Sequence, residues 1–294
     1  MKTVGEGFYT ALGTPLDERG AVIEKSMSAQ VEQQIECGAS GLLVLGSMGM
    51  EPCVKGAECT RAVQIASAAN KGRVPLFAGV MDNGVHRVME RVEALKGLDI
   101  DGVVLTAPFY FVVDNDTLKN FFTKVADASP WPVYLYDLPA VTKHKLTYPV
   151  VRDLAKHKNI MGIKSADTTM LLQMKLRGEI KPEFSSLYSG LDTMDAGYAC
   201  GLIRYLDGMF ATTPKNIRDM SLRLRSGDIH GATESLANIV RLRDLMAKYG
   251  IFPSFTVTMN LLGYEGFFEP DYHTPVAGEA HEALRAAMAE IGEL

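Results

Sequence analysis

The chain has 294 residues, of which 47% are apolar and 22% charged, and its formal net charge is −5. That is enough apolar chain for one large domain or two smaller ones, and the acidic balance gives nucleic acid little to bind. The four cysteines form no CxxC pair, the first residues lack the apolar core of a signal peptide, and no run nears the roughly 20 apolar residues of a membrane span. The expectation is a soluble, cytoplasmic protein with reduced thiols and no membrane partner. Basic residues gather at Arg218, Arg223 and Arg225 and at Arg241 and Arg243, but intervening acidic residues mark these as solvated helix faces.

The first strand candidate is Phe8-Tyr9-Thr10-Ala11-Leu12, closed by Gly13-Thr14-Pro15. A helical pattern over residues 23–37 stops at Gly38. Gly41-Leu42-Leu43-Val44-Leu45 reads as a buried strand that runs into the small-residue turn Gly46-Ser47-Met48-Gly49. The unit then repeats: a helix over 57–69, a strand over 74–80, a helix over 85–95, a strand over 102–105, a helix over 118–126. Val133-Tyr134-Leu135-Tyr136 is the next strand, followed by a helix over 150–157, a strand over 160–164 and a helix over 168–176. Two weaker strands, Ser186-Leu187-Tyr188-Ser189 and Gly208-Met209-Phe210-Ala211, flank a short helix over 196–200.

Eight strands starting near residues 8, 41, 74, 102, 133, 160, 186 and 207, each followed by a helical pattern, fit a (β/α)₈ barrel better than a doubly wound open sheet. No Gly-x-Gly-x-x-Gly follows any strand, which weakens a dinucleotide-binding alternative. After Pro214 only helices follow, over 216–225, 229–249, 254–262 and 279–291. The expected division is a barrel over 1–214 that carries the active site, then a barrel-closing helix and helical extension over 215–294 that is not independent.

In such a barrel the chemistry sits at the carboxyl ends of the strands. Strand two ends in Gly46-Ser47-Met48-Gly49, strand four in Thr106-Ala107-Pro108-Phe109-Tyr110, strand five in Tyr136-Asp137-Leu138-Pro139, and strand seven in Ser189-Gly190-Leu191-Asp192. Strand six, Asn159-Ile160-Met161-Gly162-Ile163-Lys164-Ser165, is apolar and ends abruptly in a lysine. A lone lysine commonly snorkels to the surface. One held at a dry barrel mouth is instead expected to lose its charge more readily and become a nucleophile toward a ketone. A nearby tyrosine can shuttle protons, and backbone N–H groups in a small-residue turn can hold a carboxylate. Each sign is weak alone, but Lys164, Tyr136 and Tyr110 converge on one mouth.

On these residues the chain resembles the dihydrodipicolinate synthase and N-acetylneuraminate lyase superfamily of pyruvate-dependent Schiff-base aldolases, over nearly its whole length. Gly46-Ser47-Met48-Gly49 is similar to the family's Gly-Thr/Ser-Thr-Gly-Glu carboxylate turn, Pro108-Phe109-Tyr110 to its Pro-Tyr-Tyr segment, Tyr136-Asp137-Leu138-Pro139 to its Tyr-Asn-x-Pro motif, and Gly162-Ile163-Lys164 to its Schiff-base strand. The resemblance implies Lys164 as Schiff-base lysine, Tyr136 as proton shuttle, and Ser47 with Tyr110 as the rest of the relay. It further implies no metal and no organic cofactor, and a homotetramer built from dimers with Tyr110 near the dimer contact. Gly46, Ser47, Met48, Val141, Asp192 and Phe210 are the expected substrate-contacting residues.

Departures from the family pattern bear on the second substrate. Met48 replaces a threonine whose hydroxyl usually meets the pyruvate carboxylate, and Met50 stands in place of a glutamate, with Glu51 beside it. Val141 occupies the position of the arginine that in dihydrodipicolinate synthases grips a substrate carboxylate, and valine cannot replace a bidentate clamp unless Lys143 or Lys145 reaches the site. Sialic acid lyases show Gly-x-Asp-Glu after strand seven and a threonine two residues beyond the lysine; here Asp192 is kept, but Thr193 and Ala166 stand in the other places. The reading that follows is an aldolase joining or splitting pyruvate and an aldehyde, of the 2-keto-3-deoxy sugar acid type or one taking a less polar aldehyde. The alternatives are a dihydrodipicolinate synthase and a non-catalytic keto-acid-binding homologue. The six histidines show no metal-ligand spacing, and only His144 lies near the mouth. Most of the 15 methionines are core filler, though Met48 and Met50 can shape an apolar pocket there. Cys53 lies close by without a partner base.

Overall fold

A computed structural model describes residues 2–294. Eight strands, β1 (Gly7–Ala11), β2 (Gly41–Val44), β3 (Leu76–Gly79), β4 (Gly102–Thr106), β5 (Val133–Asp137), β6 (Ile160–Ser165), β7 (Ser185–Tyr188) and β8 (Arg204–Asp207), form a closed parallel barrel in chain order. Closure is made by β1 against β8, in the register Phe8 to Tyr205 and Thr10 to Asp207. The strands read as unbroken apolar runs because both faces are covered, one by the barrel interior and one by the helices. Those helices are α1 (Glu24–Glu36), α2 (Gly56–Asn70), α3 (Val85–Ala94), α4 (Asn115–Ala128), a single turn α5 (Pro139–Thr142), α6 (Tyr148–Leu154), α7 (Thr168–Arg177) and α8 (Met194–Ala199). The remaining four are α9 (Pro214–Ser226), α10 (Ile229–Tyr249), α11 (Ile251–Leu261) and α12 (Gly278–Glu290). None of the described helices is long and apolar enough to cross a membrane.

The barrel interior holds Tyr9, Leu43, Phe77, Val104, Tyr134, Leu187 and Leu206. The Tyr134 ring needs space that a side chain on either of two neighbours would deny. A Cβ at Gly102 would stand 2.8 Å from this ring, and one at Gly162 would stand 2.5 Å from it. Glycine at these positions is therefore a packing requirement of the floor beneath the mouth.

One irregularity sets the face on which Lys164 emerges. Val133 pairs with Ile160, but Tyr134 pairs with Gly162, so Met161 is an extra residue on β6. Beyond this bulge Tyr136 lies opposite Lys164. An unbulged strand would have set Tyr136 opposite Ile163, and a slip of one residue exchanges the two faces of a strand. Ile163 belongs to the outer core beneath the helices, whereas Gly162 and Lys164 face inward with Tyr134 and Tyr136. The bulge is what delivers the lysine to the mouth.

Strand eight lies earlier than its apolar residues imply. Arg204–Asp207 forms the strand, and Met209–Ala211 is a turn of 3-10 helix started by the Asp207 carboxylate, which accepts a hydrogen bond from the Met209 N–H at 2.8 Å. Arg204 is accommodated because its Nε donates to the Val4 carbonyl at 2.7 Å, at the barrel floor. Phe210, expected at the substrate, is instead fully buried in the outer core, edge-on to Phe8 and Tyr205.

Candidate active site

At the carboxyl end of β6 the Lys164 side chain is 5% exposed, and its Nζ lies 4.2 Å above the centroid of the Tyr136 ring. The Tyr136 hydroxyl shares a 3.1 Å hydrogen bond with Ser47 Oγ. Three elements thus bring three functional groups together, the amine over the face of the phenol ring and the phenol hydroxyl bonded to the alcohol. A second charge is close by. Asp207, partly buried at the end of β8, is raised in pKa by burial, while its backbone N–H bonds and the field of Lys164 pull the other way.

The turn that carries Ser47 is tightly wound. Leu45 and Met50, neither a glycine, adopt left-handed backbone conformations with φ of 60° and 55°. Such strain in a buried turn persists only where the surroundings hold it, and it gathers at functional sites. Here a Cβ at Gly49 would come within 2.8 Å of the Leu45 backbone. Gly46 is buried in the turn, and Met48 leans on Gly208 past the end of β8, filling that side of the mouth.

Other expected residues fare differently. Val141 lies in α5 at the exposed rim. Asp192 is exposed and engaged by Arg243 of α10 at 2.5 and 3.0 Å, so its carboxylate is committed within the protein rather than held open for substrate hydroxyls. Lys145 pairs with Asp137 and with Asp167, the latter at 3.1 Å, and Lys143 is exposed; neither lines the cavity at the mouth where the arginine is missing. Tyr110 is 77% exposed, and its side chain makes no hydrogen bond to Ser47 or Tyr136 within this chain. His144 serves the framework, since its Nε2 accepts the Val113 N–H at 2.9 Å and pins the loop after β4 to the loop after β5. Among the described residues no group of three or more histidine, cysteine or acidic side chains could hold a metal ion.

Beside this group opens a cavity of about 260 Å³, lined by Ser47 and Thr106 together with Met50, Met81, Phe109, Leu138, Val141 and Phe252. Pro52, Cys53, Pro270 and Tyr272 complete it. Thr106 Oγ1 is buried and has no hydrogen-bond partner. Ser47, Met50, Cys53, Thr106, Phe109, Leu138 and Val141 were visible in the sequence as residues of the mouth, but Phe252, Pro270 and Tyr272 come from α11 and the chain beyond it, and nothing in their spacing ties them to it.

A parallel eight-stranded barrel with a buried lysine at the end of its sixth strand has the layout of a class I aldolase or lyase. The chain belongs to the dihydrodipicolinate synthetase family, whose model matches residues 5–291. Members are pyruvate-dependent enzymes that work through a lysine Schiff base without a cofactor. One relative, the 4-hydroxy-tetrahydrodipicolinate synthase of Acidiphilium cryptum, is 27% identical over 288 residues, covering 98% of this chain and 99% of that protein. Another of the same name, from an Anaeromyxobacter species, is 27% identical over 291 residues, covering 98% of this chain and 97% of its own. Among solved structures, YagE, a prophage protein of the family from E. coli K12 seen in complex with pyruvate, superposes with a TM-score of 0.89 at 22% identity, covering 98% of this chain and 99% of that one.

Proposed function

We propose that this protein forms a Schiff base between Lys164 and pyruvate and uses it to make or break a carbon–carbon bond to an aldehyde. The observation that carries this reading is the grouping of Lys164, Tyr136 and Ser47, with the amine 4.2 Å from the centroid of the phenol ring and the phenol hydroxyl 3.1 Å from the alcohol. Lys164 Nζ attacks the keto carbon of pyruvate, water leaves, and the iminium draws electrons from the methyl carbon. Loss of a methyl proton gives an enamine. Its terminal carbon attacks the aldehyde carbon, the aldehyde oxygen takes up a proton, and water releases a 4-hydroxy-2-oxo acid from the lysine. Tyr136 and Ser47 relay the protons, and the strained turn at Gly46 and Ser47 presents backbone N–H groups to the pyruvate carboxylate.

Two finer readings start from the sequence. A 2-keto-3-deoxy sugar acid aldolase would use Asp192 for substrate hydroxyls, and that carboxylate is bound to Arg243. A dihydrodipicolinate synthase, the activity named for the relatives, would use a cation at position 141, where valine stands. Neither has its distinguishing group free, so the reading stays with pyruvate and an aldehyde. Tyr110, Phe111 and Val112 are consecutive and 77%, 71% and 76% exposed, with the Tyr110 and Phe111 rings edge-on to each other; contiguous apolar exposure marks interaction sites. In this reading two chains meet there, Tyr110 enters the relay of the neighbouring chain, and dimers pair into a tetramer. Residues 215–294 complete the barrel as one unit with it: the Leu16 N–H donates to the Phe267 carbonyl at 2.9 Å, Arg225 donates to the Glu6 carbonyl at 3.1 Å, and Phe252 lines the mouth.

The test needs no aldehyde. In deuterium oxide the enamine exchanges the methyl protons of pyruvate, which proton resonance follows directly. Exchange is expected with the native chain and absent in Lys164→Ala. A native protein that binds pyruvate without accelerating exchange is a keto-acid-binding homologue, and the catalytic reading falls.

A further inference from the structure

We infer that the second substrate is an apolar aldehyde with an aromatic ring or comparably bulky hydrocarbon, an inference that rests on the pyruvate chemistry proposed above. The cavity beside the Tyr136 hydroxyl is walled mainly by Met50, Met81, Phe109, Leu138, Val141 and Phe252; its polar side chains are Ser47, Cys53, Thr106 and Tyr272, and no charged side chain lines it. An aldehyde bearing a carboxylate would meet no cation there, and one bearing several hydroxyls would turn most of them to methyl, thioether and aryl carbon; unpaired polar groups out of water are heavily disfavoured. An aryl group would instead remove apolar surface from water on both sides. Methionines on two sides allow the wall to adapt to ring shape.

Size agrees with this choice. An apolar protein cavity of about 150 Å³ stays dry and takes up benzene; the space here, about 260 Å³, holds one ring with its aldehyde carbon, or two fused rings. The one unpartnered buried polar atom in the wall, Thr106 Oγ1, belongs to the strand position paired with Tyr136, which is itself paired with Lys164. It is placed to hydrogen-bond the aldehyde oxygen, leaving Tyr136 to supply the proton when the carbon–carbon bond forms. The groups that could have read a polar aldehyde point elsewhere: Asp192 is held by Arg243, and Lys145 by Asp137 and Asp167.

The experiment offers the native protein pyruvate with benzaldehyde, D-glyceraldehyde or aspartate semialdehyde in separate reactions and follows each product by mass. The first two give a 4-hydroxy-2-oxo acid; the third gives the cyclic imine left when its amine condenses with the keto group and water leaves. Methyl-proton exchange of pyruvate alone runs in parallel. The expected result is a kcat/KM for benzaldehyde at least about 100-fold above either polar aldehyde, the scale on which apolar pockets discriminate. Val141→Arg, a change at the solvent-exposed rim that leaves the core packing untouched, should narrow or invert that ratio in favour of aspartate semialdehyde. Exchange of pyruvate with equal or greater turnover of a polar aldehyde, or with no turnover of benzaldehyde, overturns this inference and leaves the Schiff-base reading standing. Absence of exchange removes both.

Discussion

Replacing Tyr136 by phenylalanine removes one oxygen atom and leaves the ring beneath Lys164 in place. The hydroxyl makes a single 3.1 Å hydrogen bond, to Ser47, whose own side chain remains free to turn. Loss of one such bond costs folding on the order of 1 kcal/mol, which in a chain of this size lowers Tm by a few degrees at most. The catalytic cost is of another order. A positioned proton shuttle contributes about 10²- to 10⁴-fold, and at 1.36 kcal/mol per factor of ten that is roughly 3–5 kcal/mol of barrier. Steady-state turnover with pyruvate and benzaldehyde should therefore fall at least 100-fold, while thermal unfolding barely shifts. Trapping of pyruvate on the protein by borohydride should persist, because the amine is untouched. Turnover within tenfold of the native rate would refute the relay assignment.

Other consequences can be checked independently. Gly162→Ala places a methyl group 2.5 Å from both the Tyr134 ring and the Ser185 carbonyl oxygen; overpacking of this kind costs about 1–3 kcal/mol, so Tm should drop by several degrees, and an unchanged melting curve would contradict the described floor. Burial pushes the Glu51 carboxyl from 4.5 up to about 8, against the pull of Arg91, 2.6 Å away. Between those two values the folded state keeps a proton that the unfolded chain has released, so stability should fall with rising pH across this window, by up to about 1.4 kcal/mol per unit. The denaturation midpoint of the native chain relative to Glu51→Gln should therefore fall between pH 5 and pH 8, shifting in favour of the variant, and a constant difference would count against it. Phe111→Asp sets a charge in the patch where two chains are proposed to meet; a central aromatic in such a contact is worth about 2 kcal/mol or more. Sedimentation should then show a smaller particle with reduced turnover, and an unaltered oligomer would place the contact elsewhere.

The part of the site that was legible in the sequence is the part written in short runs. An apolar strand that stops at Lys164, a tyrosine ending the preceding strand and a turn of small residues are local patterns, and repetition of strand and helix fixes their place on one barrel mouth. The Met161 bulge was not legible, because Met161 and Gly162 both suit a strand buried on two faces, and period-two alternation is absent from such strands. Strand eight was displaced for the opposite reason: Arg204 and Asp207 bracket the true strand with charge, whereas Met209, Phe210 and Ala211 look like a strand and form a helical turn behind it. Asp192 resembled a substrate ligand because its partner, Arg243, lies on α10, far along the chain. The aldehyde cavity was legible only in part: Met50, Phe109, Leu138 and Val141 sit in strand-end turns, whereas Phe252, Pro270 and Tyr272 come from the region after α10.

Covalent capture of pyruvate on Lys164 tests the central claim most directly. The native chain is incubated with pyruvate, reduced with borohydride, digested, and its peptides weighed. The reduced pyruvyl adduct should appear on the peptide containing Lys164, only when pyruvate is present before reduction. A peptide of unchanged mass, or the adduct on another lysine, would contradict the account.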